Sequence, residues 1–322
     1  MYVLRAHPPH DGSPLTHPLA LPAAGAPAKA APGYAGSSAA ELLRHCLVDF
    51  EGKETYDIYP LRKDKAETVW IRPCYHDILR IIGSEPLVKR WTINGNPGIG
   101  KSVFSHLIMS VLLRAGKRVI YRVQDLDPIS LREGEEPYTV PLSRLEVELF
   151  QPSTVYVVDG RDPGLLHTDE VLTFLVCSPR KAHWHDFMKG RDRVMLYMPV
   201  WTLEELEQCR AWLYPKVSAD LLADLFGTAG GIPRFVLKEA SALLARGEAP
   251  DSVASQLRDF VLNRLGQCSS LDSLLSHVGD LNAPDDVSHV LLHIKPTFPL
   301  GQDDARADDS KIGPLSPLPP AP

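Results

Sequence analysis

The sequence is poor in cysteine, and the few it has follow no pattern. Five cysteines stand at positions 46, 74, 177, 209 and 268 of 322, odd in number, far apart and without a Cys-x-x-Cys pair. That argues against a disulfide framework and a cysteine-built zinc site, and fits a reducing compartment. Long apolar runs are missing too. No stretch of 18 apolar residues occurs, so no membrane span is expected. Met1 to His10 lack the apolar centre of a secretory signal. No large excess of one charge is present either: a net charge of −6 gives no global pull toward nucleic acid or anionic membrane. The expected location is intracellular, cytoplasmic or nuclear.

Proline is what the chain has in excess, and the excess is uneven. Of 29 prolines, 7 fall in residues 1–33 and 5 in residues 301–322, which leaves an ordinary share for the middle. Residues 1–38 and 296–322 are therefore expected to be disordered ends, with a flanking region over 39–68. A first helix is expected from Ala39, with Leu42, Leu43, Cys46 and Leu47 on one face, and a short one over Tyr75–Ile82. Short apolar runs predict strands at Val69–Ile71, Val88–Ile93, Val119–Val123, Thr154–Val158, Val171–Cys177 and Val194–Met198. The polar, proline-broken stretch 126–144 reads as a long loop. Strands spaced by helices imply an α/β core over 69–200, a parallel sheet with helices on both faces. Beyond Pro199 the pattern turns helical. Thr202 and Glu205 read as a capping box, 217–226, 234–245, 250–265 and 271–278 read as helices, and Val290–Ile294 reads as a further strand. Residues 201–295 are thus expected to form a helical lid with C-terminal helices.

Gly95-Asn96-Pro97-Gly98-Ile99-Gly100-Lys101-Ser102 matches G-x-x-x-x-G-K-[ST], after an apolar strand and ahead of an apolar helix. The glycines aim backbone N–H groups at one point and let phosphate approach closely. The helix start, with Val103 in its first turn, adds its positive dipole end. Lys101 reaches the β- and γ-phosphates, and the Ser102 hydroxyl ligates Mg²⁺. The competing reading is a glycine-rich turn followed by an unrelated lysine.

A nucleotide–Mg²⁺ site also needs a carboxylate at the end of a neighbouring strand. Asp159 ends Thr154–Asp159, 58 residues after Lys101, and would hold a metal-bound water; the bland alternative is a turn cap. Many ATPases of this type place a glutamate directly after that aspartate to orient water. Here Gly160, Arg161 and Asp162 follow, so nucleotide binding is better supported than fast turnover. Ser178 and Arg180 follow the fourth core strand, where a polar residue can sense the γ-phosphate. Arg234, after Gly230-Gly231-Ile232-Pro233, can fold back onto the phosphates as a charge clamp. Solvated turns and plain helix-start chemistry explain these residues equally well. His183-Trp184-His185-Asp186 lacks further ligands at sensible spacing, so it is not read as a metal site. Arg72 and Tyr75 are read as ordinary packing.

Taken together, these residues resemble the P-loop ATPase module of Crinkler effectors, which is shared with the retrotransposon hot spot (RHS) proteins. The resemblance is carried by Asn94–Ser102, Tyr156–Gly160, Ser178-Pro179, Tyr197-x-Pro199-x-Trp201 through Glu205-Leu206, and Gly230–Arg234. Arg72-x-x-Tyr75 and Val290–Ile294 look similar to flanking family elements, so that the likeness covers about residues 65–295. It implies a P-loop NTPase three-layer αβα sandwich related to AAA+ and signal-transduction ATPases, with a helical lid. It also implies ATP and Mg²⁺ as ligands, and contact with nucleic acid through the family alone. Two departures stand out. The chain ends 28 residues after Ile294, short of the nuclease-like domain that often follows, and residues 1–60 lack the Leu-Phe-Leu-Ala-Lys translocation motif. A truncated member, a free-standing ATPase module and a mis-predicted gene product are the expected explanations. A true effector of this family would be secreted into a host cell.

Three readings follow from the residues. The first is an ATP-binding and ATP-hydrolysing module, with ATP as default because no Asn-Lys-x-Asp guanine motif is present. The second is a nucleotide-dependent switch that works through a protein partner or self-association. The third, a small-molecule kinase, lacks a substrate-lid signature.

Overall fold

The computed structural model describes residues 55–58, 67–123, 126–164, 171–179, 181–189, 192–266 and 293. The expected first helix from Ala39, the helix over 271–278 and all but His293 of the Val290–Ile294 strand lie outside the described residues, as does Arg180.

A hairpin of β1 (Thr55–Ile58) and β2 (Glu67–Trp70) leads into α1 (Pro73–Ser84). Pro73 sits in the first turn of α1, where its missing N–H leaves no acceptor wanting. Ile78, Leu79 and Ile82 turn into the core as their spacing requires. Next come β3 (Arg90–Asn94), α2 (Lys101–Arg114) and β4 (Arg118–Val123). The stretch 126–144, expected to be a loop, instead holds β5 (Ile129–Leu131), β6 (Tyr138–Thr139) and a 3₁₀ turn (Leu142–Arg144), and α3 (Leu145–Leu149) follows it. Runs of two and three residues are too short to show a period. β5 and β6 are antiparallel extensions held by β4 at the edge of the sheet. Then follow β7 (Thr154–Asp159), β8 (Thr173–Val176), α4 (Lys181–Trp184) and β9 (Arg193–Tyr197).

The seven-stranded sheet has the order β6-β5-β4-β7-β8-β3-β9, and β4, β7, β8, β3 and β9 run parallel. Buried parallel strands carry apolar side chains on both faces, and β7 is buried at every position. Alternation along the strands sorts the core into two layers. Val119, Tyr121, Val155, Val157, Phe174 and Val176 pack with Phe104, Ile108 and Leu112 of α2. Ile120, Tyr156, Val158 and Leu175 pack with Leu145 and Leu149 of α3. Helices therefore cover both faces, in three layers.

After β9 the chain is helical. α5 (Leu203–Leu213) opens with the expected capping box, since Thr202 Oγ1 accepts from Glu205 N–H and Glu205 accepts from Thr202 N–H. α6 (Ala219–Ala229), a π-helical turn (Arg234–Glu239), α7 (Ala240–Ala245) and α8 (Pro250–Gly266) complete the lid. The wide turn at Arg234–Glu239 departs from the regular helix expected over 234–245, and such turns are frequent at functional sites. Gly227, inside α6, has open space where a Cβ would stand. Gly227→Ala is therefore expected to raise stability by about 0.5–1 kcal/mol through helix propensity, as read by thermal melting.

Candidate functional site

The carboxyl ends of β7, β8, β3 and β9 lie at one rim. Asp159 is level with Val176, Val176 with Ile93, and Asn94 with Tyr197. The connections diverge here, because β3 leads off to β4 on one side while β8 crosses it to reach β9. A crevice at such a switch point is where ligands bind in open parallel sheets. One strand, β8, separates Asp159 from the glycine loop, so the two lie about 10 Å apart at strand spacing. Lys101 and Ser102, at the head of α2, span that gap.

The loop is held from several directions. Asn94, fully buried, accepts the Gly95 N–H at 2.6 Å. Gly98 and Gly100 have φ of 84° and 102°, where residues with a Cβ are strained. A Cβ on Gly100 would also stand 2.6 Å from the Tyr75 hydroxyl, which itself donates to the Gly100 carbonyl at 3.1 Å. The first bond inside α2 runs from Phe104 N–H to Gly100. The N–H groups of Lys101, Ser102 and Val103 thus have no acceptor within the helix and make an anion seat.

Lys101 lies over this loop, buried, with Nζ donating to the Gly95 and Asn96 carbonyls at 2.7 Å each. Burial pushes its ammonium down to about 8; Cys177 and Asp159 oppose the shift and Arg234 adds to it. Asp159 is 7% exposed, and burial raises its carboxyl above the usual range. A hydrogen bond from Ser102, the nearby His106 and Lys101, and a hydrogen bond from Tyr121 at 3.4 Å pull the other way. The Ser102 hydroxyl and the Asp159 carboxylate thus share one spot beside the ammonium. Two oxygen donors there suit a hard divalent cation that completes its shell with phosphate and water. Among the described residues there is no group of three or more His, Cys, Asp or Glu that could hold a metal alone.

The lid reaches the loop directly. A Cβ on Gly98 would stand 2.9 Å from Arg234 Cβ and 3.1 Å from Ile232 Cγ2. The structure therefore brings together Gly95, Asn96, Pro97, Gly98, Ile99, Gly100, Lys101, Ser102, Val103, Asp159 and Arg234. Ser178 lies two residues beyond the end of β8. Asp162 is engaged elsewhere, accepting the Gly164 N–H at 2.8 Å to close a turn. The His183–Asp186 segment forms α4 and its end, where His185 and Lys189 both approach Asp186.

Sequence reasoning missed two neighbours of Asp159. His106 follows Ser102 by four residues, a spacing that puts both on one face of α2, and that spacing was the available signal. Its ring faces Tyr121 at 5.8 Å between centroids, and burial holds its imidazole below the usual range against the pull of Asp159. Tyr121 sits on β4, and only the sheet order reveals that it faces the end of β7.

The sheet order, the glycine loop ahead of α2 and the helical segment after β9 define an α/β P-loop NTPase fold with a helical lid. No family model matches the chain. It is similar to two curated proteins of Phytophthora infestans. Crinkler effector protein 15 is 25% identical over 245 residues, or 71% of this chain and 36% of that protein. Crinkler effector protein 16 is 26% identical over 251 residues, or 73% and 37%. The chain thus spans little more than a third of the length of these relatives. Among solved structures, the RuvB Holliday junction branch migration motor of Thermotoga maritima aligns with a TM-score of 0.34 at 13% identity, covering 61% of this chain and 70% of that one. A mutant of the same motor gives 0.35 at 14% identity.

Proposed function

We propose that this chain is an ATP-binding P-loop module of the Crinkler type that takes Mg-ATP at the Gly95–Val103 loop. The observation that carries the reading is Lys101, an ammonium kept buried over a ring of glycine backbone. Burial costs this charge more than the neighbouring Asp159 returns, since its ammonium is still held down to about 8. Triphosphate would supply the further negative charge that holds the lysine protonated. The loop amides and Lys101 hold the β- and γ-phosphates, Ser102 and Asp159 place Mg²⁺, and Arg234 closes the site from the lid. Mg²⁺, when bound, neutralises charge on the transferring phosphate. Arg180 remains a second candidate for sensing the γ-phosphate. Residues 69–200 then act as the nucleotide core and 201–295 as its lid. The shared origin with RHS proteins, an intracellular site of action and delivery as an effector belong to this same proposal. Among the described residues no helix is long and apolar enough to cross a membrane.

A second reading, a nucleotide switch with little turnover, is favoured by one observation. Gly160 follows Asp159, and the nearest acid in sequence, Asp162, is committed to a turn. Measuring ATP binding and phosphate release for the chain and for Lys101→Ala decides between them. Release that is lost in the variant supports the ATPase. Tight binding without release supports the switch, and no binding by the unaltered chain rejects both.

Affinity should depend on pH through Lys101. Phosphate favours the charged lysine, and the free site holds its proton only below about 8. ATP affinity is therefore expected to be level below that pH. Above it, affinity should fall by up to about tenfold per unit until the lysine of the bound site also titrates. A pH series of titrations at constant ionic strength checks this.

A further inference from the structure

We propose that Trp201 is a positioning residue that couples the lid to the phosphate loop, making nucleotide affinity depend on lid attachment. The proposal rests on the nucleotide reading above and adds a regulatory link to that site. Trp201 lies between β9 and α5 and donates two hydrogen bonds, one to the loop and one to the lid. Its indole Nε1–H donates to the Ile99 carbonyl of the loop at 2.7 Å, and its backbone N–H donates to the Gly231 carbonyl of the lid at 2.9 Å. At Gly231 the two backbones lie so close that a Cβ would stand 1.9 Å from the Trp201 carbonyl oxygen.

The indole is not free to absorb motion. The Arg72 guanidinium lies 4.7 Å over its ring, and Trp70 packs at 5.2 Å. Arg72, fully buried, donates to the Pro199 carbonyl at 2.9 Å, to Val200 at 3.3 Å and to both Glu205 oxygens at 3.2 and 3.0 Å. Glu205 is fixed in turn by the capping box of α5. Both peptides that precede Trp201 are thereby anchored to the start of α1. The lid touches the loop twice, directly where Ile232 and Arg234 meet Gly98, and through Trp201 at the neighbouring Ile99. Hydrogen bonds weaken steeply off axis. Phosphate that reshapes the loop at Ile99 must therefore carry Trp201 and the Gly231 hinge with it, or break that bond. The coupling is reciprocal by linkage, so a lid held in place tightens the loop on its ligand.

The bland alternative is a core tryptophan that fills space. Trp201→Phe keeps the aromatic packing and deletes the Nε1–H donor. Mg-ATP affinity is measured for the unaltered chain, Trp201→Phe, Arg234→Ala and the double variant, with thermal melting as a check on folding. The bond exists without ligand, so affinity reads only the part of it that strengthens on binding; Trp201→Phe is expected to weaken binding by about threefold to tenfold, up to the full scale of one hydrogen bond. If Trp201 acts through the lid, the double variant binds within about twofold of the weaker single variant, because the two changes disrupt one linkage. The Mg-ATP-induced change in intrinsic tryptophan fluorescence is expected to be largely lost in Trp201→Phe at saturating ligand. Should Trp201→Phe fail to fold, Glu205→Gln, which loosens Arg72 behind the indole, takes its place in the same cycle. Additive losses, or unchanged affinity in the single variant, overturn the coupling while leaving the nucleotide reading intact. Absence of binding by the unaltered chain overturns both.

Discussion

Lys101→Met is expected to remove nucleotide binding while leaving the fold intact. On the proposed reading the ammonium would donate charged hydrogen bonds to two phosphates, each worth about 1.5–3 kcal/mol, so affinity should fall at least about 100-fold. The stability side involves two opposing effects. Holding Lys101 charged in the folded chain costs about 3 kcal/mol, from a value near 8 against an ordinary 10.5. The unfolded chain keeps that proton more firmly, so the penalty is fully present below pH 8 and is relieved as pH rises toward 10.5. Methionine removes the penalty, but it also strips the Gly95 and Asn96 carbonyls of their 2.7 Å donor, at about 1–3 kcal/mol each. The terms nearly cancel. Thermal melting without nucleotide should place the variant within a few degrees of the unaltered chain, which marks the lost binding as a site effect.

Gly231→Ala carries the second large expected effect. Its methyl would stand 1.9 Å from Trp201 O and 2.7 Å from Trp201 N, and both are backbone atoms that cannot swing away. The hinge must shift by more than an ångström. That breaks the 2.9 Å bond from Trp201 N–H to Gly231 and draws Ile232 and Arg234 off Gly98. Overpacking of this kind costs about 3 kcal/mol, which lowers the melting temperature by about 5–10 °C. Mg-ATP affinity should fall more than about tenfold in the protein that remains folded. Gly227→Ala, only a few residues away, is the matched control with the opposite sign. An unchanged melting temperature in Gly231→Ala would show that lid and core do not meet as described.

These expectations depend on contacts that differ in how far the sequence reveals them. β3, β4, β7, β8 and β9 were legible because each is a run of four to six residues built around β-branched, aromatic or other large apolar side chains, and α2 because glycine flanks it at Gly100 and Gly116. The loop, Lys101 and Ser102 could be singled out because the G-x-x-x-x-G-K-[ST] pattern fixes residue types at fixed spacing, and Asp159 because it ends an apolar strand. β5 and β6 were not, since their pairing comes from β4 rather than from their own few residues. Glu205 was legible as half of a capping box three residues long. Its ion pair with Arg72, 133 residues away, was not. Trp201 meets Ile99 across 102 residues, and no local pattern encodes that. Arg234 sits between these cases. Its segment was readable as the start of a lid, while its seat on Gly98 depends on the three-dimensional path of α5 and α6.

Calorimetry of Mg-ATP binding at pH 8.5, in two buffers of different ionisation enthalpy, asks whether triphosphate binds at the buried Lys101. With burial holding the free lysine down to about 8, binding should draw in a substantial part of a proton at that pH and much less below pH 7, and Lys101→Met should show neither uptake nor binding. Binding at pH 8.5 without proton uptake, or equal binding by Lys101→Met, would contradict binding at Lys101.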